Sequence, residues 1–329
     1  MAVITTADVQ GEYKFGAGRY WQMPNALDLI GAEAKRLGTK ACVTGGETAL
    51  ALTRERLSSG LDAAEIPWVE ERYSGPASAA KAAAVASVAT EKGCDVIVGV
   101  GGGRALDLAK AAAALLGVPV ITVPASAATC AAYAPLSVLY HENGAYDHCV
   151  WHEREVDAVL VDIEIQSAQP PRLMASGILD AMAKYLEISN GRAELNLQDV
   201  PIAMHSAHSF ARYTYEALER YGYRAVQDLK EGRRTKPLED TVFLNIALTG
   251  MISGITKGRG QTSVAHALYN AVRTHFYLES RNFLHGEIVA VGLLSQLFYN
   301  EDEARLPVLR DYMQLPRSEE RRVGKECRS

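Results

Sequence analysis

The 329-residue chain lacks several features that would place it quickly in a class of protein. Its first residues contain no basic segment followed by an apolar core, and no apolar run approaches the ~18 residues of a membrane span. Its net charge of −5 gives no electrostatic reason to expect nucleic acid or an anionic membrane as a partner. We therefore expect a cytoplasmic protein with neither a signal peptide nor a membrane helix.

Cysteine is scarce, and its spacing shows no pairing. The chain has five cysteines, an odd number. They are Cys42, Cys94, Cys130, Cys149 and Cys327. Such a set is typical of a reducing cytoplasm rather than of a disulfide-stabilised secreted protein.

Two common short motifs are also missing. The sequence contains neither the metal-binding motif HExxH nor the GxGxxG spacing of a dinucleotide fingerprint. What it does contain is DVIVGVGGGRALDLAK at residues 95–110, a buried-strand pattern that breaks at Gly101, Gly102 and Gly103 before a helical pattern. Glycines let the backbone approach a phosphate closely, and a helix N-terminus adds N–H donors. The segment is typical of a pyrophosphate site, although an ordinary tight turn has a similar pattern.

The distribution of apolar residues predicts two domains in a chain of this length. In residues 1–169, short strand patterns alternate with helices, which predicts a Rossmann-like domain with a parallel sheet covered on both faces. After Pro170 and Pro171, residues 170–316 have helical patterns and predict an all-α bundle. The helix at residues 287–298 is apolar nearly all round and is expected to lie deep. The charged residues 317–329 are interpreted as a foreign or disordered tail after a truncated bundle.

Five blocks of sequence together resemble a known family. They are GGGRALDLAK, GVPVITVPASAATCAAYAPLSVLY, GILDAMAKYLE, VAHALYNAV and LHGEIVAVGL. Their order and spacing are similar to those of the glycerol-dehydrogenase-like branch of the iron-containing (metal-dependent) alcohol dehydrogenase superfamily, from about Tyr13 to about Pro316. The resemblance implies a dehydroquinate synthase-like architecture, an α/β nucleotide domain followed by a helical one.

The resemblance implies that Asp180, His266 and His285 hold one divalent metal ion and leave a coordination position open for catalysis. Taken singly, each residue type is more often solvated, salt-bridged or packed in a core. In the iron-dependent branch a histidine follows the aspartate by one turn, where this chain has Lys184. The site therefore looks like the three-ligand version, for which zinc is the expected metal.

The same resemblance implies NAD(P) as cofactor. The residues expected to bind it are Gly101, Gly102 and Gly103 at the pyrophosphate, Asp107 and Lys110 beside them, and Leu136, Ser137 and Tyr140 at the nicotinamide. From the residues alone, Asp107 and Lys110 would be an exposed helical pair. Gly45 and Gly46 stand where NAD-specific relatives often have an acid, but Glu47 is adjacent, so the sequence leaves NAD and NADP open.

The substrate class stays open between two small molecules. Cys130 lies where glycerol dehydrogenases carry an aspartate that contacts the polyol, and the surrounding block looks closest to the hydroxycarboxylate dehydrogenase subgroup. A carboxylate accepts hydrogen bonds from vicinal hydroxyls, and its removal relieves repulsion of an anionic substrate. Cys130 is also compatible with a packed small side chain. We predict metal-assisted hydride transfer that oxidises either a polyol to a hydroxyketone or a 2-hydroxy acid to a 2-oxo acid.

The sequence leaves two alternatives to a dehydrogenase. One is a sugar-phosphate cyclase, a lyase similar to dehydroquinate synthase, which needs several cationic groups around a phosphate. The other is a truncated nucleotide-binding protein without catalysis. The resemblance also implies a homo-oligomer.

Overall fold

The computed structural model describes residues 13–190, 198, 200–258 and 262–315. These residues divide into two compact units. One is Gly16–Gln166, and the other contains residues 13–15 and the described residues from Ser167 onward. The boundary predicted from the sequence falls between residues 169 and 170. The predicted tail, residues 317–329, and Cys327 lie outside the described residues.

A parallel sheet forms the centre of the first unit. The strands of this unit are β1 Tyr20–Met23, β2 Ala41–Gly45, β3 Trp68–Arg72, β4 Val96–Gly101, β5 Val120–Pro124, β6 Leu136–Tyr140, β7 Tyr146–Trp151 and β8 Ala158–Asp162. Six of them form the sheet in the order β1-β8-β5-β4-β2-β3, and β6 and β7 form a separate antiparallel hairpin. The strands β2, β4, β5 and β8 are buried at every position, as expected for strands covered on both faces. The predicted Rossmann-like sheet is confirmed.

Helices follow most strands of the parallel sheet. They are α1 Ile30–Leu37, α2 Glu47–Ala63, α3 Ala79–Glu91, α4 Gly103–Leu116 and the short α5 Ile163–Ser167. Small side chains let α4 lie close to β4, since a Cβ on Gly99 would be only 2.5 Å from the Cβ of Ala109. Because α2 follows β2 and α4 follows β4, both helices begin at the carboxyl edge of the sheet.

The described residues of the second unit are mostly helical. The helices are α6 Pro171–Ser189, α7 Ile202–Lys230, α8 Lys236–Phe243, α9 Thr249–Thr256, α10 Val264–His275, α11 Tyr277–Ser280, α12 His285–Tyr299 and α13 Leu306–Gln314. Every residue of α6 from Met174 to Ser189 is buried, and α6 packs against α7 and α12. The predicted helical bundle is confirmed, with α6 at its centre.

The prediction that α12 lies deep in the bundle is wrong for one face of this helix. This helix packs against α6 and α10, but Val291 and Phe298 are 48% and 71% exposed among the described residues. The central position belongs instead to α6, a less apolar helix. Its charged side chains are compatible with burial because they lie beside one another and beside histidines of α10 and α12.

One helical stretch has the length and composition of a membrane span, which the sequence analysis did not predict. It runs over Lys236–Thr256 and combines α8, a π-helical turn at Leu244–Leu248 and α9. Within it, 78% of the 18-residue apolar window is buried inside the protein. This burial is what the core helix of a soluble protein shows, so the packing of the unit accounts for the stretch.

Candidate functional site

Three charged side chains lie on one face of the buried helix α6. Asp180, Lys184 and Glu187 are spaced by four and then three residues, which places them on the same side of a helix. As whole residues, they are only 3%, 5% and 0% exposed. Burial of charge is unfavourable unless nearby groups compensate it. The function of this face of α6 therefore depends on the groups that surround these three side chains.

Two histidines approach Asp180 from the first turns of neighbouring helices. His266 lies in the first turn of α10, and His285 is the first residue of α12. Their Nε2 atoms lie 3.5 Å and 3.3 Å from Asp180 Oδ1. One ligand atom from each residue lies within 4.8 Å of the others, and the part of the chain described has no other such group of three or more. Folding thus brings together the three ligands predicted from the sequence.

The Asp180 carboxylate shows that the cluster suits a cation. Its Oδ1 is buried and makes no hydrogen bond, although two imidazole nitrogens face it. Burial opposes the charge of Asp180, but nearby Lys184 and His285 hold its pKa well below the usual range. An ionised oxygen and two imidazole nitrogens are donors that a divalent metal binds. The residues present therefore fit a divalent ion.

Glu187 holds His266 in one orientation. Its carboxylate contacts His266 Nδ1, and its Oε1 accepts hydrogen bonds from the backbone N–H groups of Ser263 and His266 at 2.7 Å and 2.9 Å. Burial lowers the pKa of His266, but Glu187 outweighs it and raises that pKa above the usual value. A carboxylate on Nδ1 keeps the proton there, which leaves Nε2 as the electron-pair donor to a metal.

Aromatic and cationic groups support His285 from α10. The ring of Tyr269 lies 4.2 Å from the His285 ring in an edge-on arrangement. The guanidinium of Arg273 lies over the Tyr269 ring, and it donates to the carbonyl oxygens of Ser280 and Phe283 at 2.9 Å and 2.6 Å. Arg273 therefore holds the loop that leads into α12, and with it the position of His285.

The start of α12 also lies close against α6. A Cβ on Gly286 would be 1.9 Å from the carbonyl oxygen of Ser176, and the Gly286 N–H donates to Ser176 Oγ at 3.1 Å. Glu287 accepts from the backbone N–H of Leu284 at 2.8 Å and forms an ion pair with Arg172. Only glycine allows this approach, which fixes His285 relative to the helix that carries Asp180.

Lys184 lies beside the same cluster. Its Nζ is 3.4 Å from His266 Nε2 and 3.8 Å from Asp180 Oδ1, and its side chain is 7% exposed. The ammonium group is therefore next to two of the three predicted ligand atoms. The resemblance implies a ligand histidine at this position in the iron-dependent branch, whereas this chain places a cation there.

The glycine turn belongs to the other unit and lies where the strand order of the sheet reverses. From β2 the chain continues to β3 on one side, whereas β4 and β5 lie on the other side. Parallel α/β sheets bind ligands at such a switch point, beyond the carboxyl ends of the strands. A cavity of about 380 Å³ lies here, lined by the first residues of α2 and α4 and by Tyr73 and Gly75.

Backbone conformation and packing explain two of the three glycines of the turn. Gly101 has φ of +143°, a conformation that favours glycine. A Cβ on Gly103 would lie 3.0 Å from Thr129 Oγ1, and Gly102 faces open space. The first N–H groups of a helix have no partner within it, so the start of α4 suits a phosphate. The structure places all three predicted glycines, together with Arg104, in the lining of one cavity.

Asp107 and Lys110, predicted beside the pyrophosphate, are buried within the sheet unit. They do not line the glycine cavity, and their side chains are 8% and 1% exposed, so they are not an exposed pair either. They form an ion pair at 2.9 Å, and Lys110 Nζ donates to the carbonyl oxygens of Ala134 and Leu136. The N–H of Val138 donates to Asp107 Oδ2 at 3.2 Å. The two residues therefore join α4 to strand β6.

The predicted nicotinamide segment, Leu136, Ser137 and Tyr140, belongs to strand β6. Ser137 is fully buried, where its Oγ donates to the carbonyl oxygen of Asp107 and lies 2.8 Å from His152 Nε2. Burial and the charge of Lys110 lower the pKa of His152 to about 4. These contacts use the Ser137 side chain within the unit.

Two other predicted residues lie closer to the glycine turn. Tyr140 is 8% exposed, and its ring lies under the guanidinium of Arg104 at 5.5 Å. Cys130 is half-buried and forms no disulfide, and it lies in a loop whose residues Thr129 and Ala131 contact the position of Gly103. Both therefore lie near the start of α4.

Comparison with known proteins gives the family. Residues 17–163 match the family described as iron-containing alcohol dehydrogenase. Over 318 residues the chain is 32% identical to a glycerol dehydrogenase from Thermotoga maritima. This match covers 92% of this chain and 80% of that protein. The chain belongs to the iron-containing alcohol dehydrogenase family.

Other members of the family place it in the glycerol-dehydrogenase-like branch, as predicted. The chain is 34% identical over 214 residues to hydroxycarboxylate dehydrogenase A from Escherichia coli, a match that covers 64% of this chain and 58% of that protein. A crystal structure of a probable glycerol dehydrogenase from Sinorhizobium meliloti superposes with a TM-score of 0.81 at 28% identity, over 93% of this chain and 83% of that one. Membership in the family implies NAD(P) and a divalent metal as cofactors and a small molecule as substrate.

Sequence reasoning missed two residues that the structure places at these sites. Glu187 follows Asp180 by seven residues, so two helical turns could have indicated their shared face. Arg104 directly follows the glycine run in the first turn of α4. His275, which the sequence analysis left out of the ligand set, is exposed at the end of α10.

Proposed function

We propose that this member of the family is a zinc-type, NAD(P)-dependent dehydrogenase that acts on the CH–OH group of a small polyol or 2-hydroxy acid. The observation that carries the proposal is the buried Asp180 Oδ1, which makes no hydrogen bond and faces the Nε2 atoms of His266 and His285. Lys184 Nζ lies 3.8 Å from this oxygen, too far for a hydrogen bond, whereas a divalent ion would bind the oxygen and both nitrogens directly.

Asp180, His266 and His285 would hold the ion through one oxygen and two nitrogens. Three protein ligands leave a coordination position for substrate, which is the arrangement of catalytic zinc sites. The ion when bound would polarise the substrate oxygen and stabilise alkoxide character, and the nicotinamide would carry the hydride. The lysine at position 184 supports three protein ligands rather than four, and this favours zinc over iron.

The protein's own groups would orient these reactants. Glu187 keeps a proton on His266 Nδ1 and so keeps Nε2 free for the metal. Arg273 and Gly286 fix the start of α12 and hence His285. In the other unit, Gly101 to Gly103 and Arg104 would bind the cofactor pyrophosphate at the start of α4.

Glu47 supports a preference for NAD over NADP. It is exposed in the first turn of α2 and lines the glycine cavity. A carboxylate in this region accepts hydrogen bonds from the adenosine ribose hydroxyls and repels a 2′-phosphate. NAD is therefore the proposed cofactor.

The structure gives the cyclase alternative no support. Arg273, one of the few cations near the proposed ligands, is bonded to backbone carbonyl oxygens and lies over Tyr269. A sugar-phosphate cyclase would need such groups for a phosphate. We further propose a cytoplasmic location and self-association into a homo-oligomer, both of which follow from the resemblance and the sequence rather than from the fold.

The test is turnover of zinc-loaded protein with NADH or NADPH and a panel of 2-oxoglutarate, oxaloacetate, dihydroxyacetone and hydroxyacetone, measured by nicotinamide absorbance with and without a chelator. We expect chelator-sensitive turnover, which His266→Ala should abolish without weakening nucleotide binding. His275→Ala removes an exposed histidine from the same helix and should leave turnover unchanged. Chelator-insensitive turnover, or full activity of His266→Ala, would contradict the proposal.

A further inference from the structure

Lys184 is placed at the metal cluster by the helix itself. It lies one turn after Asp180 on α6, which is buried from Met174 to Ser189. Its side chain is 7% exposed, and its Nζ lies 3.4 Å from His266 Nε2 and 3.8 Å from Asp180 Oδ1. The ammonium group is therefore a fixed part of this site.

A bound divalent ion would change the electrostatic surroundings of the Lys184 ammonium group. The ion would bind the two atoms beside which Lys184 Nζ lies, and two cations in such proximity repel each other, most strongly in a buried site. If both imidazoles are neutral, the positive charges are those of the divalent ion and of the ammonium. The carboxylates of Asp180 and Glu187 neutralise all but one of these positive charges. The carboxylate of a substrate would offset that charge, whereas a neutral hydroxyketone would not.

We infer that Lys184 binds the carboxylate of a 2-oxo or 2-hydroxy acid and so selects such acids over neutral polyols and hydroxyketones. The inference rests on the proposed function, since it assigns a substrate class to the same site. In this arrangement the open metal position receives the oxo or hydroxyl oxygen, and Lys184 donates a charge-assisted hydrogen bond to the carboxylate. The selectivity then comes from the helical unit, from a residue of α6.

Pyruvate and hydroxyacetone test this inference because they differ only in a carboxylate against a hydroxymethyl group. For zinc-loaded Lys184→Gln with the nicotinamide cofactor, we expect the KM for pyruvate to rise about 10-fold to 100-fold, as for the loss of a hydrogen bond to a charged group. The KM for hydroxyacetone should stay within about threefold, a difference too small for the loss of such a bond. Lys184→Arg keeps the charge and should keep the preference for pyruvate. Lys92→Gln, an exposed lysine at the end of α3, is the matched control and should change neither KM.

A binding measurement tests the role of Lys184 without the hydride-transfer reaction. Oxamate is an unreactive analogue of pyruvate, and calorimetry on zinc-loaded protein should show its affinity reduced about 10-fold to 100-fold in Lys184→Gln. Zinc affinity of the same variant, measured by competition with a chelator, should be unchanged or higher because a neighbouring cation has been removed.

Several results would overturn the inference. They are an equal loss with pyruvate and hydroxyacetone, unchanged oxamate affinity, a fall in zinc affinity in folded Lys184→Gln, or a wild-type protein that reduces hydroxyacetone but neither pyruvate nor 2-oxoglutarate. Absence of turnover with every substrate would instead overturn the proposed function, and oxamate calorimetry would still decide the role of Lys184.

Discussion

Glu187 gives the sharpest prediction about the proposed metal site, because it touches no proposed ligand except His266. Its two carboxylate oxygens have separate roles. Oε1 accepts the N–H groups of Ser263 and His266 at the start of α10, and Oε2 contacts His266 Nδ1. A glutamine has the same shape but only one acceptor oxygen. In Glu187→Gln, either the backbone N–H groups or His266 Nδ1 must therefore face an NH₂ group.

The consequence for His266 follows from its proton. If the amide NH₂ faces Nδ1, the imidazole proton moves to Nε2, which then has no electron pair for a metal. Substitution of such outer partners typically lowers metal affinity about 10-fold to 100-fold, or ~1.4–2.7 kcal/mol. If the amide turns round, α10 loses both hydrogen bonds at its N-terminus, at a cost of roughly 1–3 kcal/mol in stability.

The assay is zinc competition with a chromophoric chelator, combined with thermal unfolding of the metal-free protein to show that the variant is folded. Glu216→Gln is the matched control, since Glu216 is exposed on α7 and its nearest ion-pair contact with Arg212 is 3.9 Å. We expect Glu187→Gln to lose zinc affinity and the control to retain it. A folded Glu187→Gln with zinc affinity within about twofold of wild type and an unchanged unfolding temperature would refute the argument that Glu187 holds both the His266 tautomer and the start of α10.

Two further predictions concern the sheet unit. His152 has a pKa near 4 in the folded protein against an ordinary value of 6.5, so the unfolded chain binds the proton first as pH falls. Its contribution to stability is complete above about pH 6.5 and is lost between there and about pH 4, by up to ~3 kcal/mol, a loss that denaturant unfolding should show and His152→Gln should remove. Glu47→Ser should raise the ratio of kcat/KM for NADPH to that for NADH about tenfold, as expected for one charged contact with the ribose. The control Glu55→Ser, exposed on the same helix, should leave this ratio unchanged, and an unchanged ratio in Glu47→Ser would remove Glu47 from the cofactor site.

The fold was predictable to the extent that the sequence is locally periodic. The buried strand Val96–Gly101 is a run of apolar residues that ends in glycine. A strand that is buried on both faces is apolar along its whole length, so it can be recognised from its own residues. The edge strand Trp68–Arg72 and the hairpin strand Tyr146–Trp151 gave no such signal. Their residues are partly exposed and charged, so they depend on partners distant in sequence.

The amino-acid sequence was enough to identify the family, the order of the sheet and helical parts, and the residue types available for metal and phosphate. Which of these residues meet depends on the packing of the folded chain. Asp180, His266 and His285 lie on three different helices, and their approach depends on Gly286 against Ser176 and on Glu187 at the start of α10. Asp107 and Lys110 have the same spacing whether they are exposed or buried, and the packing of α4 against β6 buries them. Local sequence fixes the spacing of side chains along one element, whereas contact between elements depends on how their surfaces pack.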